Sequence, residues 1–213
     1  EFRRVLFRSG STDETPETCR ARAADLNVTC IDGPSAGISA AKNAGVAVAA
    51  APLVLFFDDD DVADDGLVAA HLAAHRRYPL EHVAVLGFTG WSPELHPSEV
   101  MRFVTDVGHQ LFSYTGLRDG DLLDYTYFWG GRSSCKTSLL VRAGGFTPAF
   151  TFGSEDIEAG YRMARLVAAE RAAHGGSGFA ALTVVYAADA RQAMLRPLTF
   201  DQFCVRCERQ GRS

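Results

Sequence analysis

The apolar stretch Ala51-Pro-Leu-Val-Leu-Phe-Phe57 runs directly into four aspartates, Asp58 to Asp61. Five apolar residues opened by a proline predict a short buried strand over Leu53 to Phe57. Side chains of a strand alternate between its two faces, so an extended continuation would put Asp58 and Asp60 on one face and Asp59 and Asp61 on the other. Adjacent carboxylates repel, and a packed core does not choose them. Hard divalent cations such as Mg²⁺ and Mn²⁺ do, because they take oxygen ligands from one or two carboxylates together with substrate phosphates. The carboxyl ends of strands are also where open α/β sheets place their ligands. The competing reading is a solvated acidic turn leading through Asp64 and Asp65 into a helix.

Strand and helix patterns alternate on both sides of this stretch. Helices are predicted over Thr15 to Asp25, Ile38 to Ala50, Asp65 to Tyr78 and Ser154 to Glu170, the last with Ser154 as N-cap. Strands are predicted over Leu26 to Ile31, His82 to Gly87, Ser134 to Thr137 and Leu182 to Tyr186. A closing helix covers Thr199 to Gln210. The alternation implies an α/β fold with a mostly parallel sheet. Between Thr89 and Phe128 the chain is rich in aromatics, with a helix expected over Val100 to Phe112. This reads as a ligand-facing excursion or an ordinary packed insertion.

The 213 residues fit one domain, and 47% hydrophobic against 22% charged residues suffices for a real core. A net charge of −5 argues against a general nucleic-acid binder. No apolar run reaches the length of a membrane span. Five scattered cysteines suit a reducing compartment, and Cys204-x-x-Cys207 lacks the second pair or histidines of a metal site. His71 and His75 lie one helical turn apart but lack a third ligand in reach, so they read as surface histidines.

A second acidic cluster, Glu155-Asp156 with Glu158, follows about a hundred residues after the first. One cluster for a metal and one carboxylate for proton abstraction suit group transfer from a diphosphate. Acids in a first helical turn also satisfy the helix dipole, which is the simpler reading of that cluster alone. Lys42, on Ser39-Ala-Ala-Lys-Asn-Ala-Gly45, offers a point charge for phosphate.

Three ordered blocks resemble glycosyltransferase family 2, with its GT-A fold. Gly10-Ser-Thr-Asp-Glu-Thr15 is similar to the end of the family's DDGSTDET. Gly37-Ile-Ser-Ala-Ala-Lys-Asn-Ala-Gly45 with the Pro52 to Asp61 segment resembles its ARN and DxD blocks. Gly130-Gly-Arg-Ser-Ser134, Gly144-Gly-Phe146 and Gly153-Ser-Glu-Asp-Ile-Glu-Ala-Gly-Tyr-Arg162 resemble its GGN, GGF and ED blocks. The resemblance implies an inverting transferase that moves a sugar from a nucleotide-diphospho-sugar to a hydroxyl of a saccharide, lipid-linked or other acceptor. It implies Mg²⁺ or Mn²⁺ at Asp58 and Asp60, with Asp61 as an alternative ligand. Asp156 matches the catalytic base, with Glu155 beside it. Asp13, Lys42, Asp58, Asp59, Gly130, Gly131 and Ser134 match donor or acceptor contacts. Cytoplasmic placement follows, with peripheral seating at the inner membrane face as an extension.

The chain departs from the family in three places. Glu1 to Ser9 resembles translated adaptor sequence, which leaves residues 10–213 as a partial GT-A domain without its first strands. Arg132 stands where asparagine is common. No histidine occurs between Ala190 and Arg196, where the family often completes its metal site, and Met194 lies there instead. With the upstream aspartates absent, the alternative is a catalytically incompetent fragment or a weak sugar-nucleotide-binding module. A nucleotidyltransferase of similar fold is a third reading. The absent strands also predict a gap between the Leu26 to Ile31 strand and the Leu53 to Phe57 strand, or Val5 to Phe7 pairing there as a substitute.

Overall fold

A computed structural model describes residues 4–9, 15–26, 28–33, 36–109, 111–174 and 181–212. Two sheets are present among them. In the smaller, β1 (Arg4–Ser9) pairs parallel with β2 (Val28–Gly33), with Val5 opposite Thr29. Helix α1 (Thr15–Leu26) connects the two strands, and α2 (Ile38–Val48) packs against β1. No ladder joins β2 to β3 (Leu53–Leu55) among the described residues, so the expected break is present and Val5 to Phe7 pairs with β2.

The larger sheet has the order β3-β7-β5-β8-β4, with β6 (Leu122–Leu123) also on β8. Here β4 is Asp61–Ala63, β5 is Val83–Trp91, β7 is Ser133–Lys136 and β8 is Thr183–Met194. The helix-flanked α/β fold is as expected, but the mostly parallel sheet is not. Only β5 and β8 pair parallel in the larger sheet; β3–β7, β5–β7, β4–β8 and β6–β8 are antiparallel.

The cause is β7. The crossover through α3 (Leu67–Arg77) does make β3 and β5 run the same way, as helical connections require. However, β7 inserts between them and runs in reverse. Periodicity reveals strand and helix, not which later strand intrudes. One consequence positions the site: the start of β7 lies at the carboxyl end of β3 and opposite the middle of β5, with Ser134 beside Leu55 and Ser133 beside Leu86.

The core lies between this sheet and α6 (Glu155–Ala173), which buries Ala159, Gly160, Met163, Ala164 and Val167. Phe128, Phe146, Leu139 and Leu140 are fully buried there. Phe56 meets Phe146 and Phe128 edge-on at centroid distances of 5.1 and 6.4 Å. Such pairs add roughly 0.5–1.5 kcal/mol each beyond burial. They fix the chain two residues before Asp58.

Several predicted bounds shift. β5 runs past Gly87 to Trp91 and β8 past Tyr186 to Met194, because the two long strands support each other along their length. The helix expected over Val100 to Phe112 is a short α4 (Glu99–Arg102) followed by a π-helical turn, Phe103–Val107. Ser154 does precede α6, but its backbone is left-handed (φ 62°) and its side chain does not cap the helix. His71 and His75 are buried rather than at the surface.

Candidate active site

Strand β3 ends at Leu55, and the aspartate run forms a turn. Phe56 N–H donates to the Ser133 carbonyl, and Asp61 N–H donates back to the Asp58 carbonyl at 3.3 Å. The strand alternation expected for Asp58 to Asp61 therefore does not apply. The turn spreads the four carboxylates, which relieves their repulsion, and sends Asp61 into β4.

Gly130 and Gly131 bring the two acidic clusters together. A Cβ on Gly131 would lie 2.1 Å from Asp58 Oδ2, and one on Gly130 would lie 3.3 Å from Asp156 Oδ2 and 2.1 Å from Lys42 Nζ. Gly131 also has φ 88°, a conformation that favours glycine. Gly130 N–H donates to Asp156 Oδ2 at 2.6 Å, and Ile157 N–H donates to Asp156 Oδ1 at 2.8 Å. Both acids thus face one cleft of about 710 Å³, within the usual range for a ligand site.

Lys42 and Glu155 form a buried ion pair at 2.6 Å, with side chains 12% and 3% exposed. Lys42 also lies 5.2 Å from the Phe146 ring centroid. Its neighbour Asn43 clamps Phe146, donating from Nδ2 to the carbonyl at 2.7 Å and accepting the N–H at 2.8 Å. Ser39 Oγ donates to the Phe150 carbonyl. The Lys-Asn segment and the Gly-Gly-Phe segment, far apart in sequence, therefore hold each other beside the cleft. Glu158 faces elsewhere: it pairs with Arg162 at 2.6 Å and accepts from Thr147.

Asp58 accepts from Arg132 Nη2 at 3.1 Å. Burial pushes the Asp58 carboxyl up, the Arg132 and Lys42 charges pull it down, and Asp60 and Asp59 push it up again. Asp59 and Asp60 line the cleft, while Asp61 is drawn away from it. Asp61 is 7% exposed, accepts from Gln192 Nε2 through Oδ2, and has no partner for Oδ1 among the described residues. Burial raises it to about 6, against the lowering effects of the Gln192 hydrogen bond and Arg132. Gln192 Nε2 also donates to the Gly131 carbonyl at 2.8 Å. In the β4–β8 ladder Asp61 stands opposite Met194.

This donor set does not fit a divalent cation gripped by the aspartate run. Asp58 is paired with a guanidinium, Asp61 is turned inward, and no three His, Cys, Asp or Glu side chains among the described residues converge as a metal-holding group.

Ser134, expected on the acceptor side, does not reach the cleft. Its Oγ lies between His71 Nδ1 at 2.8 Å and His75 Nε2 at 2.9 Å, under α3. The alternation of β7 turns Ser134 to that face, opposite Cys135 in the main core. His75 Nδ1 in turn meets Lys136 Nζ at 2.9 Å. Asp13 lies outside the described residues.

Sequence reading missed other cleft residues. Trp91, Phe112 and Trp129 form an aromatic wall, and Arg132 lies over Phe112 at 4.8 Å. The aromatic richness of the Thr89 to Phe128 excursion was the available signal, though Tyr114 from that excursion packs against Phe88 of β5 and Tyr186 of β8. Helix α7 (Phe200–Arg212) supplies the opposite wall. It has no buried residue, and it is held by Arg206 and Arg209 over the Phe152 ring and by Gln210 Nε2 donating to Ser154 Oγ at 3.2 Å. No helix among the described residues is long and apolar enough to cross a membrane.

The family model described as Glycosyl transferase family 2 matches residues 1–122. A validoxylamine A glucosyltransferase of Streptomyces hygroscopicus subsp. jinggangensis (strain 5008) is 33% identical over 187 residues, which covers 76% of this chain and 44% of the relative. The protein of the same name from subsp. limoneus is also 33% identical, with 76% and 41% covered. The chain spans less than half the length of these relatives. Among solved structures, residues 1–349 of S. aureus TarS in complex with UDP align with a TM-score of 0.64 at 14% identity, covering 99% of this chain and 55% of that one. GalNAc-T7 with UDP, GalNAc and Mn²⁺ aligns with a TM-score of 0.60 at 12% identity, covering 91% and 38%. These two likenesses show the fold.

Proposed function

We propose, for a chain that belongs to glycosyl transferase family 2, that the cleft receives a nucleotide-diphospho-sugar and transfers its sugar to an acceptor hydroxyl with inversion. The observation that carries this reading is the meeting of Asp58 and Asp156 at Gly130–Gly131. One side of the glycine pair offers charged groups for a diphosphate, and the other offers a carboxylate for a proton. UDP is the nucleotide to test first, since it is bound in the TarS and GalNAc-T7 structures. Glucose is the first sugar to test, given the curated relatives.

In this reading Asp156 takes the proton of the acceptor hydroxyl. The freed oxygen attacks the anomeric carbon from the side opposite the diphosphate, and the configuration inverts in one displacement. Asp156 suits the role because two main-chain N–H groups fix its orientation. Glu155 is a positioning residue, which holds Lys42 behind the glycine turn. The cytoplasm is the working compartment in this reading.

The test is Asp156→Asn in the full chain. UDP-sugar binding is expected to stay within about twofold, and transfer to fall by roughly 10²–10⁴, the usual worth of a general base. Unchanged turnover would reject the assignment of the base. Proton NMR of the product would check inversion at the anomeric carbon.

A further inference from the structure

We infer that Arg132 stands in for a divalent cation at this donor site, as a built-in counter-charge to the diphosphate. The inference rests on the reading of the cleft as a nucleotide-sugar site. It departs from the metal-assisted form of that reading.

Arg132 immediately precedes β7, and its main chain is locked into the sheet by Gly87 N–H donating to its carbonyl at 2.8 Å. Its side chain is 9% exposed, lies on the Phe112 ring and reaches the cleft. One terminal nitrogen donates to Asp58, while the buried Nε has no partner among the described residues. A guanidinium carries five N–H donors in a planar fork that matches phosphate oxygens two at a time. A buried donor without a partner is costly to keep, and a phosphate oxygen would satisfy it.

The same geometry opposes a metal. A divalent ion on Asp58 would sit beside a fixed positive charge that already holds the carboxylate, and two cations in a partly desolvated cleft repel strongly. Asp61 cannot turn to help without breaking its contact with Gln192. Lys42 is already paired with Glu155. The other cleft arginines are exposed: Arg206 and Arg209 lie over Phe152, and Arg196 is at the surface as well. Arg132 is thus the buried cation placed for the diphosphate, and Asp58 is its positioning residue. In the transfer step the acceptor oxygen bonds to the anomeric carbon and its proton passes to Asp156. The bond from that carbon to the phosphate oxygen breaks, and its electron pair leaves with the diphosphate. The guanidinium meets the added negative charge.

The experiment titrates the full chain with UDP, in EDTA and in MnCl₂, and with pyrophosphate in EDTA, by calorimetry. Mn²⁺ binding without nucleotide is followed by electron paramagnetic resonance. Wild type is expected to bind UDP and pyrophosphate in EDTA, with less than about threefold gain from Mn²⁺. Arg132→Asn should weaken binding in EDTA by about tenfold or more, the worth of one charge-assisted pair. It should also bind Mn²⁺ where wild type does not, because Asp58 is released; a merely structural role for Arg132 would not produce that gain. Arg132→Lys keeps the charge and should fall between the two. Should Arg132→Asn fail to fold by circular dichroism, the wild-type and Arg132→Lys arms decide. UDP binding by wild type only with Mn²⁺ would overturn the inference and leave the donor reading standing. Absence of UDP and pyrophosphate binding under every condition would overturn both.

Discussion

Gly130 gives its main-chain N–H to Asp156, and Gly131 lies against the carboxylate of Asp58. Two adjacent residues without side chains therefore set the separation of the proposed base from the proposed phosphate site. Their tolerance to a methyl group should differ. In Gly131→Ala the new carbon lies 2.1 to 2.4 Å from all three atoms of the Asp58 carboxylate, at φ 88°. Left-handed strain of about 1–2 kcal/mol adds to the displaced pair. A total of about 2–4 kcal/mol is expected, read as a fall of roughly 5–15 °C in Tm. Gly130 lacks the positive φ of Gly131, so Gly130→Ala meets Lys42 without added left-handed strain and its Tm should fall by less. The reverse order in a thermal melt would contradict this geometry.

The Lys42–Glu155 pair is buried, so breaking it from one side should cost more than removing it. Lys42→Met leaves an unpaired buried carboxylate and should destabilise by about 3–5 kcal/mol. Adding Glu155→Gln to that variant should restore a large part of the loss. Urea titration of the two single variants and the double variant gives the coupling directly. Additive losses would show that the pair is not an energetic unit.

Asp61 makes a pH-dependent contribution of known sign. Its folded value of about 6 lies above the ordinary 3.8, so between those values the native chain holds a proton that the unfolded chain has lost. Stability from this group is full below about 3.8, falls as pH rises to about 6, and is constant above. The ionised cost is on the order of 2–3 kcal/mol. Asp61→Asn should therefore stabilise at pH 8 by about 1–3 kcal/mol and have little effect at pH 4. Denaturant titrations at the two pH values check it, and a destabilised variant at pH 8 would refute the buried, unpaired carboxylate.

His71 and His75 have the opposite slope. Burial lowers them to about 4 and about 3, the latter helped by the Lys136 charge and by His71. Both are held neutral, so stability is full above about 6.5 and falls as the unfolded chain takes up protons down to those values. A loss on the order of a few kcal/mol between pH 7 and pH 4 is expected. Measured in the Asp61→Asn background, where the aspartate no longer opposes it, the slope should shrink on double replacement of His71 and His75 by Gln, and an unchanged slope would refute their neutral burial.

The sequence carried the strand before the aspartates, the helix at Glu155 and the order of the blocks, because each is local and periodic. The Lys42-Asn43 and Gly144-Gly145-Phe146 segments were visible as words, yet their mutual clamp depends on contacts about a hundred residues apart. Direction within the sheet was hidden, since nothing local says that Ser133–Lys136 will enter between β3 and β5. Ser134 was misplaced by the same limit: its role follows from which face of β7 meets α3. Arg132 was visible as a substitution, but its contact with Asp58 needed the fold.

Helix α7 forms a wall of the cleft without burying a residue of its own. Among the described residues it is held to the body by two ring contacts on Phe152 and one amide to Ser154, each worth about 1 kcal/mol at an exposed site. Local opening of this helix is therefore far cheaper than unfolding the sheet. Its amides should lose hydrogen-exchange protection orders of magnitude sooner than those of β5. In the proposed transfer a bulky acceptor would enter sideways, by detaching one wall, while the floor that fixes Asp58 and Asp156 stays closed.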